Sequence, residues 1–461
     1  MINSSPFDKN MVGKFNIGDD EYDGQISCLE QGNPIYLTLN LVYDDKPYIA
    51  PSNYVIKQPI HGKLNNGCNI LILGAKCVGT RTHPNHTEEL RCVCESILEC
   101  GNIEKSDLLF NEFDFVIENG LGWGNISNIE ADIVSDTIQI GGEKKTYKVK
   151  WFDNEITFYT VIRNELYSFP RKETCELSEH LAVSISNAQK QPLEYFLAIR
   201  DKIISLISFG VANNINILSQ VCLDYDIPLF DDRVEYYHEF PYLAYEQKRI
   251  IDKKPWRDYN FTLNQLPSKN KLLANYIDKL IPVFNLYLSW FRYQDMPIEM
   301  IFLNLIQATE VLHARFFCKE HKSKEKYVAR IEKKYATLLQ DEAYKRMLLS
   351  DEHQLKDDID FVCLYSRINE LVFDNNSKIF YDFYASDKAD NQFICDIVKT
   401  RNYFTHYDSS DAKRILNEDG LIKAISFLRV LLEYHICKIL GIDKAGPARE
   451  ALQHLRNGYN T

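Results

Sequence analysis

The sequence lacks any apolar run that approaches the roughly 20 residues a helix needs to cross a bilayer, and it has no charged-then-apolar segment at its start. It has no long polar or low-complexity tract. Walker loops, dinucleotide-binding glycine patterns and Gly-x-Ser-x-Gly elbows are also missing. These absences predict a cytoplasmic globular protein with no membrane partner and without the chemistry of those motifs.

Positive charge is in deficit, because 53 Lys and Arg face 65 Asp and Glu and leave a formal net charge of −12. Proteins that coat nucleic acid normally carry an excess of Lys and Arg, so any nucleic-acid target should be restricted. The 12 cysteines form no compact, evenly spaced framework, which favours reduced thiols over disulfides.

One local stretch, 319–334, is basic. If it binds a substrate, its candidate residues are Lys322, Lys324, Lys326 and Arg330; the alternative is a solvated helix face.

At 461 residues the chain is longer than one hydrophobic core usually serves, which predicts two domains. Up to about residue 245, short alternating segments separated by turn residues are typical of β-strands, as in 35–43. The segments 147–152 and 156–161 predict a hairpin with a polar turn, and glycines around Trp123 predict a loop. One helix near 192–209 should pack on a sandwich-like or curled antiparallel sheet.

Helical periodicity dominates beyond residue 268, after a predicted linker at 246–267. The helical segments are expected near 270–292, 297–318, 323–349, 357–384, 388–405 and 420–441. The predicted fold is therefore α+β, with a β-rich sensor or regulatory domain at 1–245 and an all-helical domain at 268–461.

The most specific motif is Arg401-Asn402 followed by His406. An imidazole with an ordinary pKa of about 6.5 takes or gives a proton near neutral pH, and a guanidinium forks onto phosphate oxygens. The same Arg-to-His spacing occurs four times, at Arg81 and His86, Arg233 and His238, Arg401 and His406, and Arg449 and His454. The third pair follows a long amphipathic helix inside the helical region and alone has Asn directly after Arg.

Helical geometry limits what this motif can do by itself. Asn402 and His406, four residues apart, share one helix face, whereas Arg401 and His406 are about 140° apart on an ideal helix. Arg401 and His406 can therefore converge only if the helix ends or distorts between them. The alternative is an ordinary helix C-terminus, with a His favoured by the helix dipole and an Arg paired to a neighbour.

The motif at the end of a helix in a C-terminal bundle resembles the Arg-x4–6-His signature of the HEPN ribonuclease superfamily. A β-rich N-terminal half joined to such a bundle is similar to the ApeA-like anti-phage defence proteins. The segment 305–313 resembles the second bundle helix of that group, in which an acidic residue, here Glu310, faces the motif. The match at residue level is limited to these two short segments.

This resemblance implies roles for four residues. His406 would transfer the proton, Arg401 would stabilise the charged phosphorane, Asn402 would orient a phosphate or the imidazole, and Glu310 would anchor Arg401. The implied reaction is attack of an RNA 2′-hydroxyl on the adjacent phosphate, which leaves a 2′,3′-cyclic phosphate and a 5′-hydroxyl. No cofactor is implied.

The resemblance also implies partners. A homodimer would set two motifs face to face, since each motif has one imidazole. The expected function is abortive anti-phage defence, with a phage-derived protein as trigger. The acidic composition, rather than the resemblance, predicts a structured, restricted RNA such as tRNA as substrate.

Two other interpretations remain open. One is a non-catalytic helical interaction module on a β-sandwich binding domain, which predicts that His406 points into an apolar core. The other is a zinc-stabilised nucleic-acid-binding protein. Zinc takes Cys and His ligands tetrahedrally, but Cys-x-Cys is not the usual spacing and such cysteines are often small core residues, so no metal is expected. The zinc candidates are Cys77, His83, His86, Cys92 and Cys94.

Overall fold

The structure is a computed structural model that divides into two compact units, 1–271 and 272–461. It describes residues 11–18, 20–27, 35–42, 55–56, 58, 60–82, 87–94, 96–101, 109–118, 120–127, 129–132, 137–140, 146–151, 153–165, 176–223, 238–240, 259–266, 271–292, 296–317, 364–372, 380, 388–406 and 415–456.

The first unit begins with an antiparallel sheet that has nine strands in the described residues. These are β1–β9: Met11–Ile17, Asp20–Ser27, Ile35–Val42, Val55–Ile56, Ile60–Leu64, Asn69–Leu73, Ala75–Thr82, Thr87–Cys94 and Ser96–Gly101. Their order across the sheet is β4-β7-β8-β3-β2-β1-β5-β6-β9. Alternate residues of β5 are buried and exposed, as expected for a strand with one face on a core.

This sheet curls around a core that its own strands supply. Phe15, Ile26, Leu37 and Leu39 are fully buried in it. Glycine allows the tightest approach: a Cβ at Gly13 of β1 would lie 2.4 Å from the Lys63 carbonyl oxygen of β5. Of the two architectures expected from the sequence, the curled sheet describes this part of the unit.

We expect Gly13→Ala to lower the free energy of unfolding by about 1–3 kcal/mol, because the added methyl meets backbone atoms that cannot rotate away. Gly79→Ala is the matched control, since a Cβ there meets nothing within 4 Å and should change stability by about 0.5 kcal/mol or less. Urea unfolding of both variants measures the difference. Equal unfolding midpoints would contradict the close approach of β1 and β5.

The rest of the first unit contains a second antiparallel sheet and a two-stranded sheet. Strands β10–β17 are Leu109–Ile117, Ile129–Asp132, Thr137–Ile140, Tyr147–Trp151, Asn154–Glu165, Glu176–Pro192, Ile217–Leu223 and His238–Phe240. The described strands of the larger sheet run in the order β13-β14-β15-β10-β16-β17, while β11 pairs with β12. The predicted hairpin is confirmed as β13–β14, but Trp151 pairs with Asn154, so its turn is shorter than expected. Asp153 takes the left-handed conformation (φ 61°) that such a turn requires.

Among the described residues of this unit, two α-helices accompany these strands, α1 at Leu121–Gly124 and α2 at Leu193–Val211. The prediction of a loop around Trp123 is wrong, because residues Leu121–Gly124 form α1. The Trp123 indole is fully buried. Helix α2 lies where the sequence predicts a helix, and its Phe196 stacks on Phe113 of β10 with ring centroids 6.2 Å apart. Of the predicted linker, the structure describes residues 259–266, which belong to the first unit. There the backbone N–H of Asn260 donates to the Gly210 carbonyl oxygen (2.7 Å).

The described part of the second unit is helical. Helices α3–α9 are Lys271–Tyr287, Ser289–Arg292, Ile298–Leu312, Leu364–Val372, Lys388–His406, Glu418–Ile439 and Ala445–Arg456, and a π-helix, His313–Phe317, directly continues α5. The predicted α+β class, with a β-rich first part and a helical second part, is confirmed. The helix predicted at 323–349 lies outside the described residues.

Helix α8 lies close to the helix expected near 420–441, and both its ends are capped. The Asn417 side chain accepts a hydrogen bond from the Gly420 amide (3.0 Å) at its start. Gly441 follows its end in the left-handed conformation (φ 78°). None of the helices in the described ranges is long and apolar enough to cross a membrane.

Candidate active site

The Arg401-to-His406 motif forms the last turn and a half of α7, and His406 is the helix's final residue. Thr400, just before the motif, is fully buried. Its hydroxyl donates to the Asp396 carbonyl (2.7 Å) and accepts from the Leu416 amide (3.0 Å). The second of these hydrogen bonds ties α7, just before the motif, to the chain that enters α8.

Arg401 lies between a carboxylate and an amide. Its Nη2 atom is 3.5 Å from Glu310 Oε1 of α5, and its Nη1 donates to Asn402 Oδ1 (3.3 Å). The side chains of Arg401 and Glu310 are 28% and 21% exposed, so this ion pair is partly shielded from solvent and screening. The guanidinium keeps part of its surface open to a ligand.

An aromatic contact holds α7 to α5 beside this ion pair. Phe404 packs edge-on against Phe302, with ring centroids 6.3 Å apart. From Arg401 to Phe404 the chain advances along α7 while its contacts move back along α5, from Glu310 to Phe302. These two contacts fix the end of α7 against α5.

His406 is exposed, and Asn402 is partly exposed on the same helix face. The helix continues without a break from Arg401 to His406, so it does not distort between them. Arg401 turns toward α5, whereas the imidazole is at the end of α7. Within one chain the two groups lie on different sides of α7.

The turn of α5 that carries Glu310 has contacts that the sequence did not reveal. Arg367 of α6 donates to the Glu310 carbonyl oxygen (3.2 Å). Glu370 of α6 has Oε2 2.7 Å from Nε2 of His313, which is fully buried at the start of the π-helix. These partners are far apart in sequence, and no local pattern marks them.

The remaining predicted site residues are the basic substrate-binding candidates and the zinc candidates. The basic candidates Lys322, Lys324, Lys326 and Arg330 lie outside the described residues, as do His83 and His86. The described ranges contain no group of three or more His, Cys, Asp or Glu side chains that could hold a metal ion.

The three cysteines of the zinc candidate are core residues. Cys77 and Cys92 face each other across β7 and β8, with their sulfurs 3.4 Å apart. Burial raises the pKa of Cys94 to about 12, which keeps that thiol protonated.

A cluster of polar side chains on β10, β14 and β15 was not predicted from the sequence. Glu112 and Asp114 lie two residues apart and so point to one face of the sheet. Ser184 donates to Glu112 Oε1 (2.6 Å) and Tyr159 donates to Asp114 Oδ2 (3.1 Å). Asp114 Oδ1 is buried with no hydrogen-bond partner among the described residues.

Burial, followed by the nearby Glu112 carboxylate, raises the pKa of Asp114 to about 7. The folded state therefore binds a proton that the unfolded chain, with an ordinary carboxyl pKa near 3.9, releases far more easily. The stability from this proton is complete at pH values below about 4 and is lost as the pH rises through about 7.

We expect Asp114→Asn to stabilise the protein at pH 8 by about 1–3 kcal/mol and to have little effect at pH 4. Thermal unfolding at both pH values measures the change. Asp23→Asn, at an exposed position of β2, is the control for the loss of an Asp side chain elsewhere on the surface of the unit. An equal effect of Asp114→Asn at pH 4 and pH 8 would contradict the raised pKa.

Comparisons with known families cover both units. A family model described as ApeA N-terminal domain 1 matches residues 11–276, more than half of the chain. A second, described as Apea-like HEPN, matches residues 303–445 and spans Glu310, Arg401, Asn402 and His406. No curated protein and no solved structure gives a significant match.

Proposed function

The chain belongs to the ApeA-like family of HEPN defence proteins, and we propose that it is a metal-independent endoribonuclease that acts by abortive infection. HEPN domains are generally ribonucleases, and they commonly bind RNA and dimerise. The proposal rests chiefly on the exposed imidazole of His406, which ends the same helix that carries the Glu310-bound guanidinium of Arg401.

The exposure of His406 favours this function over a non-catalytic interaction module. A core position for His406, which the module interpretation predicts, would have removed it from any substrate. The side chain is instead exposed, and Asn402 on the same face is partly exposed. Both can therefore reach a phosphodiester.

The proposed reaction forms a bond from the RNA 2′-oxygen to phosphorus and breaks the bond from phosphorus to the 5′-oxygen. His406 transfers a proton at one of these oxygens, a contribution of about 10²–10⁴-fold in rate. Arg401 stabilises the charge that develops on the non-bridging oxygens, which typically adds about 10²–10³-fold. Asn402 orients the phosphate or the imidazole, and Glu310 holds Arg401 in place.

A homodimer completes this mechanism. One motif supplies one imidazole, whereas the reaction needs a base at the 2′-oxygen and an acid at the 5′-oxygen. Arg401 and His406 also lie on different sides of α7 in one chain. A two-fold axis near the end of α7 would assemble a site from both copies.

The two remaining parts of the proposal concern the substrate and the trigger. A structured RNA such as tRNA suits an acidic chain, because indiscriminate binding needs excess positive charge. The basic stretch with Lys322, Lys324, Lys326 and Arg330 would contact its phosphates. The first unit would respond to a phage-derived protein and so control the nuclease.

The test is incubation of the purified full-length protein with total cellular RNA in EDTA, without and with phage lysate, followed by analysis of fragment ends. We expect fragments with 2′,3′-cyclic phosphate and 5′-hydroxyl ends. An RNA with 2′-deoxy substitutions should stay intact, because it lacks the attacking hydroxyl. Absence of cleavage under both conditions, or fragments with 3′-hydroxyl ends, would overturn the proposal.

A further inference from the structure

We propose that Arg367 and Glu370 of α6 form a clamp that positions Glu310 and, through it, Arg401. This α6 clamp rests on the proposed nuclease function and adds positioning residues to it. Arg367 holds the backbone of Glu310, and Glu370 holds the imidazole of His313. None of the clamp's own atoms needs to touch RNA.

Two pairs of residues with the same spacing meet at one helical turn, and this geometry fits a clamp. Arg367 and Glu370 are three residues apart on α6, and so are Glu310 and His313 on the chain they contact. Residues three apart lie on the same side of a helix, so both contacts form at once when α6 docks. The contact distances are 3.2 Å to the Glu310 carbonyl and 2.7 Å to His313 Nε2.

The clamped turn is also where α5 stops being an ordinary helix. At His313 the chain passes into the π-helix, a rare local form that often accompanies functional sites. The Glu310 carbonyl accepts from the His313 amide as well as from Arg367. The fixed positive charge of Arg367 suits this carbonyl, because a carbonyl oxygen carries partial negative charge and can accept a second hydrogen bond.

The clamp has a consequence at the motif. The ion pair between Glu310 and Arg401 spans 3.5 Å, a long contact whose geometry depends on where the α5 turn holds the carboxylate. A misplacement of about 1 Å in a catalytic group can lower a rate by about 10²-fold. Loss of Arg367 should therefore reduce cleavage by loosening Glu310.

A double-mutant cycle in the RNA cleavage assay tests this inference with Arg367→Met, Glu310→Gln and the double variant. We expect each single change to lower the single-turnover rate by roughly tenfold, with the double variant no slower than Glu310→Gln alone, because Arg367 acts through Glu310. Arg367→Lys should recover part of the rate. Multiplied losses in the double variant would overturn the clamp.

Arg315→Met is the matched control. Arg315 lies in the neighbouring π-helix and also donates to backbone carbonyls, those of Asp278 and Lys279, but not to Glu310. Its replacement should leave the cleavage rate near that of the wild type. An equal loss with Arg315→Met would show that any arginine-to-carbonyl bond in this region matters, which would also overturn the clamp.

A readout that does not depend on catalysis separates the clamp from the proposed function. The coupling between Glu310→Gln and Arg401→Met in urea unfolding should shrink when Arg367 is replaced by Met. If the wild type cleaves no RNA, the nuclease proposal fails, and this coupling still decides the clamp. An unchanged coupling would overturn the clamp even if cleavage depends on His406.

Discussion

His406→Ala should lower the single-turnover rate of RNA cleavage by about 10²–10⁴-fold, because it removes the proposed proton-transfer group. Folding should be little affected, since the side chain is exposed at the end of α7 and exposed changes usually alter stability by about 0.5 kcal/mol or less. Cleavage of a defined RNA at saturating protein, with thermal unfolding of each variant, measures both quantities.

His454→Ala provides a matched control within the same unit. Arg449 and His454 reproduce the Arg-to-His spacing on α9, and both side chains are exposed. Their helix lacks an Asn after the Arg, and neither residue belongs to the proposed site. Activity that falls equally in His406→Ala and His454→Ala, or in neither, would remove the basis for assigning the chemistry to α7.

Arg401→Ala should lower the cleavage rate by about 10²–10³-fold, because it removes the cation that faces the developing negative charge. Arg401→Lys should recover part of this loss, since it keeps the charge but not the planar fork that binds two oxygens. The rate measured at saturating RNA isolates the chemical step from binding.

Affinity for a non-cleavable, 2′-deoxy-substituted RNA gives the second half of the Arg401 experiment. If Arg401 stabilises charge in the transition state, the rate should fall much more than the affinity. Arg449→Ala should change neither quantity. A parallel fall in rate and affinity would mean that Arg401 merely binds the RNA backbone.

Much of the fold follows from periodicity in the sequence. The alternation in 35–43 predicted a strand, and β3 is Ile35–Val42. The spacing of apolar residues near 192–209 predicted a helix, and α2 is Leu193–Val211. Such patterns can be read because a strand or a helix repeats its buried face at a fixed interval. The prediction of a loop around Trp123 was wrong: residues Leu121–Gly124 form α1, and the indole is fully buried by residues that no local pattern identifies.

The candidate site was likewise predicted from the sequence only in part. The choice of Arg401 and His406 among four equal spacings came from sequence context, and a resemblance suggested Glu310. Their catalytic roles stay predictions. The contacts of Arg367, His313 and the Asp114 cluster had no signal in the sequence, because each joins residues that are distant along the chain.

By itself the sequence determined which segments become strands and helices and which residues carry titratable or cationic groups near a helix end. The tertiary structure decided which side chain meets which: Glu310 with Arg401, and Glu370 with His313. It also decided that Asp114 is held where its pKa rises to about 7. The physical reason is that local patterns set the orientation of a face, whereas desolvation and pairing depend on what the rest of the chain packs against it.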